Sequence, residues 1–133
     1  MYFHINVVEA ENVPSFDLMS ESDPMCGLVM SSSPAREQTT ATIQDCNNPF
    51  WNETFRFRVV DPEVDVLTVS LYDSDSFSHR EFISKVELKV DDFIEGKVID
   101  KWYELPTTKS NKVTRIKLIC QLAVNGRIPF IPY

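Results

Sequence analysis

Apolar and polar residues alternate in stretch after stretch of this chain. Phe3-His4-Ile5-Asn6-Val7 alternates throughout. Phe55, Phe57 and Val59 are spaced by Arg56 and Arg58, and Leu67, Val69 and Leu71 by Thr68 and Ser70. Val86, Leu88 and Val90 are interleaved with Lys85, Glu87 and Lys89. Ile116, Leu118, Cys120 and Leu122 are interleaved with Lys117 and Gln121, although Ile119 breaks that polar face. A period of two is the signature of a strand with one buried and one wet face. Further strands are expected at Pro24–Met30, Glu37–Ile43 and Lys101–Leu105. Turn clusters at Asn12–Asp23, Ser31–Ala35, Asp45–Pro49, Asp61–Asp65 and Asp73–Arg80 punctuate them. About eight short strands so spaced predict an all-β fold, an eight-stranded antiparallel β-sandwich. Val90–Glu95, closed by Gly96, reads as a turn rather than a long helix.

A chain of 133 residues is the size of one domain, and 43% hydrophobic residues argue against disorder. Only Gly27, Gly96 and Gly126 are glycines, too few and too scattered for a G-x-G-x-x-G turn or a P-loop. The net charge of −7 opposes attraction to nucleic acid or bare anionic lipid. No apolar run reaches the roughly 20 residues of a membrane span, and Met1–Asn6 lacks the basic start and apolar stretch of a signal peptide. Cys26, Cys46 and Cys120 are odd in number and form no C-x-x-C, which reads as reduced thiols in a cytosolic protein. Asn125–Tyr133, with Pro129 and Pro132, reads as an irregular extension after a domain spanning residues 1–124.

The acid is concentrated. Asp17–Asp23 holds Asp17, Glu21 and Asp23, and Asp73–Glu81 holds Asp73, Asp75 and Glu81 against Arg80. Six acids and one base in these windows supply −5 of the −7. Both windows fall at strand ends, and carboxylates gathered there repel unless a cation joins them. Calcium suits them, since it takes 6–8 oxygen ligands in irregular geometry. Zinc does not, because His4 and His79 stand alone and no cysteine–histidine spacing fits. An EF-hand starting at Asp73 fails, with Phe77 at position five, Ser78 where glycine is needed and Ser84 where glutamate is needed. The alternative without metal is a set of solvated loop acids.

Several segments in order carry a resemblance. They are Ile5–Pro14, Asp17 through Ser22-Asp23-Pro24, Asn48-Pro49-Phe50-Trp51-Asn52-Glu53-Thr54-Phe55, and Tyr72-Asp73-Ser74-Asp75 with Glu81-Phe82-Ile83. Trp102-Tyr103-Glu104-Leu105 supports them. From Tyr2 to Val124 the chain resembles a C2 domain, the calcium-dependent phospholipid-binding module. The strand Thr114–Ala123 after Trp102-Tyr103 is similar to the type II order of that fold. The resemblance implies side-chain ligands Asp17, Asp23, Asp73, Asp75 and Glu81, carbonyl ligands at Leu18 and Ser74, and Ser78 for a further ion. It implies that Leu18, Met19 and Phe77 enter the lipid headgroup region, the alternative being that they fold back on the loop base. Two ions would add about +4 to these loops. Three departures stand out: Glu81 where aspartate is usual, Ser84 where glycine is usual, and Met25 where an aromatic is usual.

Arg56 and Arg58, with Arg36 nearby, resemble a thin version of the lysine-rich face that many C2 domains turn to phosphoinositides. A solvated strand face is the plainer reading. Trp51 and Trp102 are expected in the core or at its rim, His4 in a structural position, and His79 as a spectator. Metal-assisted hydrolysis lacks a second catalytic group, since only His79 and Arg80 stand near the acids. The expected function is therefore non-catalytic: a monomeric calcium sensor, cytoplasmic and recruited to anionic phospholipid membranes on calcium binding. The rival is a calcium-independent module that binds a protein partner through Arg56 and Arg58 or the tail.

Overall fold

A computed structural model describes residues 1–15, 20–74, 79–108 and 110–133. Eight strands form in chain order: β1 Tyr2–Glu11, β2 Pro24–Met30, β3 Gln38–Thr39, β4 Phe50–Arg58, β5 Val66–Ser74, β6 Arg80–Lys89, β7 Val98–Leu105 and β8 Thr114–Ala123. They make two four-stranded sheets, ordered β4-β1-β8-β7 and β3-β2-β5-β6. Every pairing is antiparallel. The expected eight-stranded sandwich is the observed fold.

The alternating apolar residues fill the space between the sheets. Phe3, Ile5 and Val7 from β1, Leu67, Val69 and Leu71 from β5, and Ile116, Leu118, Cys120 and Leu122 from β8 are all buried. Phe55 and Val86 are only partly buried against this core. Burial is also what silences two of the thiols. Cys120 is pushed up to about 12 by desolvation, and Cys26 is raised further for the same reason. Both stay protonated, so neither is a nucleophile.

Three local departures from the simple strand pattern have identifiable causes. Glu37–Ile43 is expected as a strand, but only Gln38–Thr39 pairs regularly with β2. Side chains capture the backbone groups that a longer ladder would use: Ala41 O accepts from Trp51 Nε1 at 2.9 Å, and Ala41 N donates to Glu53 Oε2 at 2.8 Å. The turn expected over Asp73–Arg80 is narrower, because β5 runs on to Ser74 and β6 begins at Arg80. Between these strands the register slips: Leu71 faces Ser84 but Tyr72 faces Phe82. Ile83 is the extra residue of a β6 bulge, and both it and Ser84 are buried. The short helical candidate is a single 3-10 turn, Val90–Asp92.

His4 faces the wet side of β1 yet is 5% exposed. Burial, and then the charge of Arg56, lower its pKa from the ordinary 6.5. Folding therefore favours neutral His4. Above 6.5 this costs nothing; below it the unfolded chain takes up a proton that the folded chain resists. Stability is expected to fall as pH drops below 6.5, by up to about 1.4 kcal/mol per pH unit until the lowered pKa is reached. Urea unfolding of the wild type and His4→Gln at pH 7.5 and 5.5 checks this. An equal loss in both proteins would assign the effect to other groups.

Candidate functional site

The acidic windows meet at one end of the sandwich because β2 and β5 are antiparallel neighbours, with Pro24 opposite Asp73. Asp23 N donates to Asp73 Oδ1 at 2.9 Å, and Ser74 N donates to Asp23 O at 2.9 Å. Across the next ladder Glu81 lies opposite Asp73, and Arg80 opposite Ser74. Asp23, Asp73, Ser74 and Glu81 are thus gathered at adjoining strand ends. Asp17, Leu18, Met19, Asp75, Phe77 and Ser78 lie outside the described residues. Among the described residues no three acidic, histidine or cysteine side chains form a group that holds a metal by itself.

One acidic residue joins this end without a signal of its own in the strand pattern. Asp45 sits in the left-handed region at φ 52, where aspartate is tolerated better than most residues. Its N–H donates to Asp23 Oδ1 at 2.6 Å, and its Oδ1 accepts from Glu21 N at 2.9 Å. Glu21, Asp23, Asp45 and Ser74 share an open recess of about 500 Å³. What could have pointed to Asp45 is its place just before Asn48-Pro49-Phe50-Trp51, which packs beside the end of β1. Pro49 O accepts from Ala10 N, and Asn47 O accepts from Val13 N. The donor set of this end is hard carboxylate and carbonyl oxygen, which fits calcium and not a soft metal.

Arg80 bears the positive charge closest in sequence to these acids, and it is already committed. Its guanidinium makes a paired contact with Glu37, at 3.0 and 3.1 Å, and lies 4.0 Å over the Tyr72 ring. Gly27 permits this, since a Cβ there would stand 2.5 Å from Glu37 Oε2. The pair holds the start of β6, and with it Glu81, against the rest of its sheet.

The family model for the C2 domain matches residues 1–105. The chain belongs to the C2 domain family. It is 35% identical over 99 residues to cytosolic phospholipase A2 delta of Homo sapiens, covering 74% of this chain and 12% of that protein. It is 30% identical over 138 residues to synaptotagmin-4 of Arabidopsis thaliana, covering 96% of this chain and 24% of that protein. The chain therefore spans about a quarter or less of these relatives. A solved C2 domain of plant extended synaptotagmin 1 superposes with a TM-score of 0.81 at 26% identity, over 90% of this chain and 92% of that one. Human GIVD cytosolic phospholipase A2, solved in complex with an inhibitor and terbium chloride, superposes with a TM-score of 0.79 at 28% identity, over 94% of this chain and 17% of that one.

Two of this C2 domain's departures now have a physical account. Ser84, in place of glycine, adjoins the β6 bulge, and its hydroxyl donates to Pro106 O at 2.5 Å. The extra side chain is therefore satisfied and ties β6 to the segment after β7. Met25 is buried, as packing requires. Trp51 is buried as expected, while Trp102 is half-buried and lies 5.6 Å beneath the Arg115 guanidinium.

Three of the C2 domain's arginines also converge. Arg36, Arg56 and Arg58 line a recess of about 400 Å³ with Ser33, Gln38 and Phe57. The recess lies where the edges of the two sheets meet, bridged by Gln38 Nε2 donating to Arg56 O at 2.9 Å. Arg56 also stacks 4.5 Å from the Tyr2 ring centroid. Arg58 pairs with Tyr2 at the start of β1, so the basic recess lies toward the end opposite the acids.

Proposed function

We propose that this C2 domain is a non-catalytic module that docks on anionic phospholipid membranes when calcium fills its acidic end. The observation that carries the reading is the gathering of Asp23, Asp73 and Glu81 at adjoining strand ends. Asp17 and Asp75, from the matched motif, complete the ligand set, with the carbonyls of Leu18 and Ser74 and with Ser78 for a further ion. Bound calcium supplies positive charge and open coordination positions for lipid phosphate oxygens. Without it the acids repel an anionic surface. Leu18, Met19 and Phe77 enter the headgroup region, each burial contributing roughly 1.5–3 kcal/mol. Arg56 and Arg58, with Arg36, offer a second contact for anionic headgroups, reached from the side of the domain. The solved terbium chloride complex of a phospholipase relative supports a site for hard cations.

A monomeric, cytoplasmic protein fits the reading. Among the described residues no helix is long and apolar enough to cross a membrane.

Co-sedimentation with phosphatidylserine liposomes tests the proposal. Binding is expected with calcium and not with chelator. Arg56→Gln with Arg58→Gln is expected to weaken it two- to tenfold without removing the calcium requirement. Equal binding in chelator, lost in the arginine variant, would overturn the calcium requirement and assign membrane binding to the arginine recess.

A further inference from the structure

Two polar residues on the wet face of the β4-β1-β8-β7 sheet are buried: Gln121 at 0% exposure and His4 at 5%. They are cross-strand neighbours in the β1–β8 ladder. What covers them is the segment after β8. Phe130 N donates to Gln121 Oε1 at 2.5 Å, and Gln121 Nε2 donates to Ile131 O at 2.9 Å and to Gly96 O at 3.1 Å. The Gln121 amide thus reads one N–H and one C=O of a turn, in which Phe130 is left-handed at φ 66. The Phe130 ring packs edge-on to His4 with centroids 6.4 Å apart. Gly96, at φ +85, leaves room for the Tyr133 ring, whose carbons lie 3.0 Å from where a Cβ would stand.

This is a built seat, and its occupant is lightly held. Recognition runs through main-chain groups, while the side chains of Ile128 and Ile131 stay 69% and 55% exposed. Pro129 and Pro132 fix φ on either side of the Phe130 turn, which lowers the entropy lost on docking. Gly126, at φ +84, turns the chain away from β8, with Arg127 N donating to Val124 O at 3.4 Å across the turn. Two further ties hold the segment's ends: the Tyr133 hydroxyl accepts from Val124 N at 3.0 Å, and Asn125 Oδ1 accepts from the Met1 amino group at 2.5 Å.

We propose that this face is a peptide groove, filled in cis by residues 125–133, that takes a turned, proline-flanked apolar segment of a partner protein when its own segment lifts. The groove is independent of the calcium reading. It lies where β8 ends at Ala123, opposite Tyr2, whereas the acids lie beyond the other end of β1. The cis segment competes at an effective concentration in the millimolar range, so a partner must bind better or arrive tethered.

A synthetic peptide of residues 125–133 is the probe, titrated into the isotope-labelled 133-residue chain. In Phe130→Ala with Tyr133→Ala, which loosens the cis segment, the peptide is expected to shift the Gln121 side-chain amide. Its affinity there should be at least tenfold above that for the wild type. Adding Gln121→Leu should abolish that binding. No shift of the Gln121 amide, or equal affinity in wild type and variant, would overturn the proposal. Hydrogen exchange on the wild type gives a second reading that needs no variant. The Phe130 amide is expected to open at least tenfold more often than the amides of β8. Opening together with β8 would make the segment part of the sandwich and sink the idea of a removable occupant.

Discussion

Asp73→Asn combined with Asp75→Asn is expected to raise the calcium needed for liposome binding by at least 100-fold. Altering residues that merely support a metal ligand typically costs about 10–100-fold in affinity, so removing two ligand charges should cost at least that. Asparagine is the informative replacement. Its carbonyl oxygen still accepts the Asp23 N–H, the 2.9 Å bond that joins the two acidic windows. The fold should therefore survive, and the metal-free variant should be no less stable than the wild type, because two repelling charges are gone. Thermal melting in chelator alongside the liposome assay separates the outcomes. Unchanged calcium-dependent binding would refute the proposed ligand set.

The second large effect is on stability. Trp51→Ala is expected to cost about 3–5 kcal/mol, the usual range for truncating a buried aromatic. Trp51 is 7% exposed, packs in the core cluster, and its indole N–H holds Ala41 O at 2.9 Å. Trp51→Phe should keep most of the packing and lose the hydrogen bond, a smaller cost of about 1 kcal/mol with some extra for lost volume. Urea unfolding measures both. The residues that follow Ala41 lead to Asp45, so Trp51→Ala should also weaken calcium binding, whereas Trp51→Phe should leave it within about threefold. If Trp51→Ala unfolds at the wild-type urea midpoint, the packing assigned to Trp51 is wrong.

Strand alternation made most of the architecture legible. The buried faces of β1, β5 and β8 are the apolar positions of the sequence pattern, because a pleat admits only one assignment of faces. Where side chains compete for backbone groups, the pattern misleads. The Glu37–Ile43 stretch has strand composition, yet Trp51 and Glu53 take the Ala41 backbone groups and only Gln38–Thr39 remains a strand. His4 and Gln121 fall on the polar side of their strands and are nonetheless buried. Nothing local to those strands signals the cover, which comes from Phe130 and Ile131 beyond the last strand.

The candidate site was legible in proportion to its dependence on strand ends. Asp23, Asp73, Ser74 and Glu81 are carried by β2, β5 and β6 or directly precede them, so strand pairing brings them together. Asp45 arrives through a turn whose left-handed φ and hydrogen bond to Asp23 have no periodic signature. The commitment of Arg80 to Glu37 likewise depends on Gly27 leaving space across the sheet, a long-range condition that sequence order does not display.

Calorimetric titration of the wild-type chain with calcium, in buffer first cleared of it by chelation, tests the central claim most directly. A saturable heat, at least one ion per chain, and a rise in melting temperature on adding calcium are predicted. No heat and no thermal shift at millimolar calcium would contradict the account, leaving the acids as solvated loop residues.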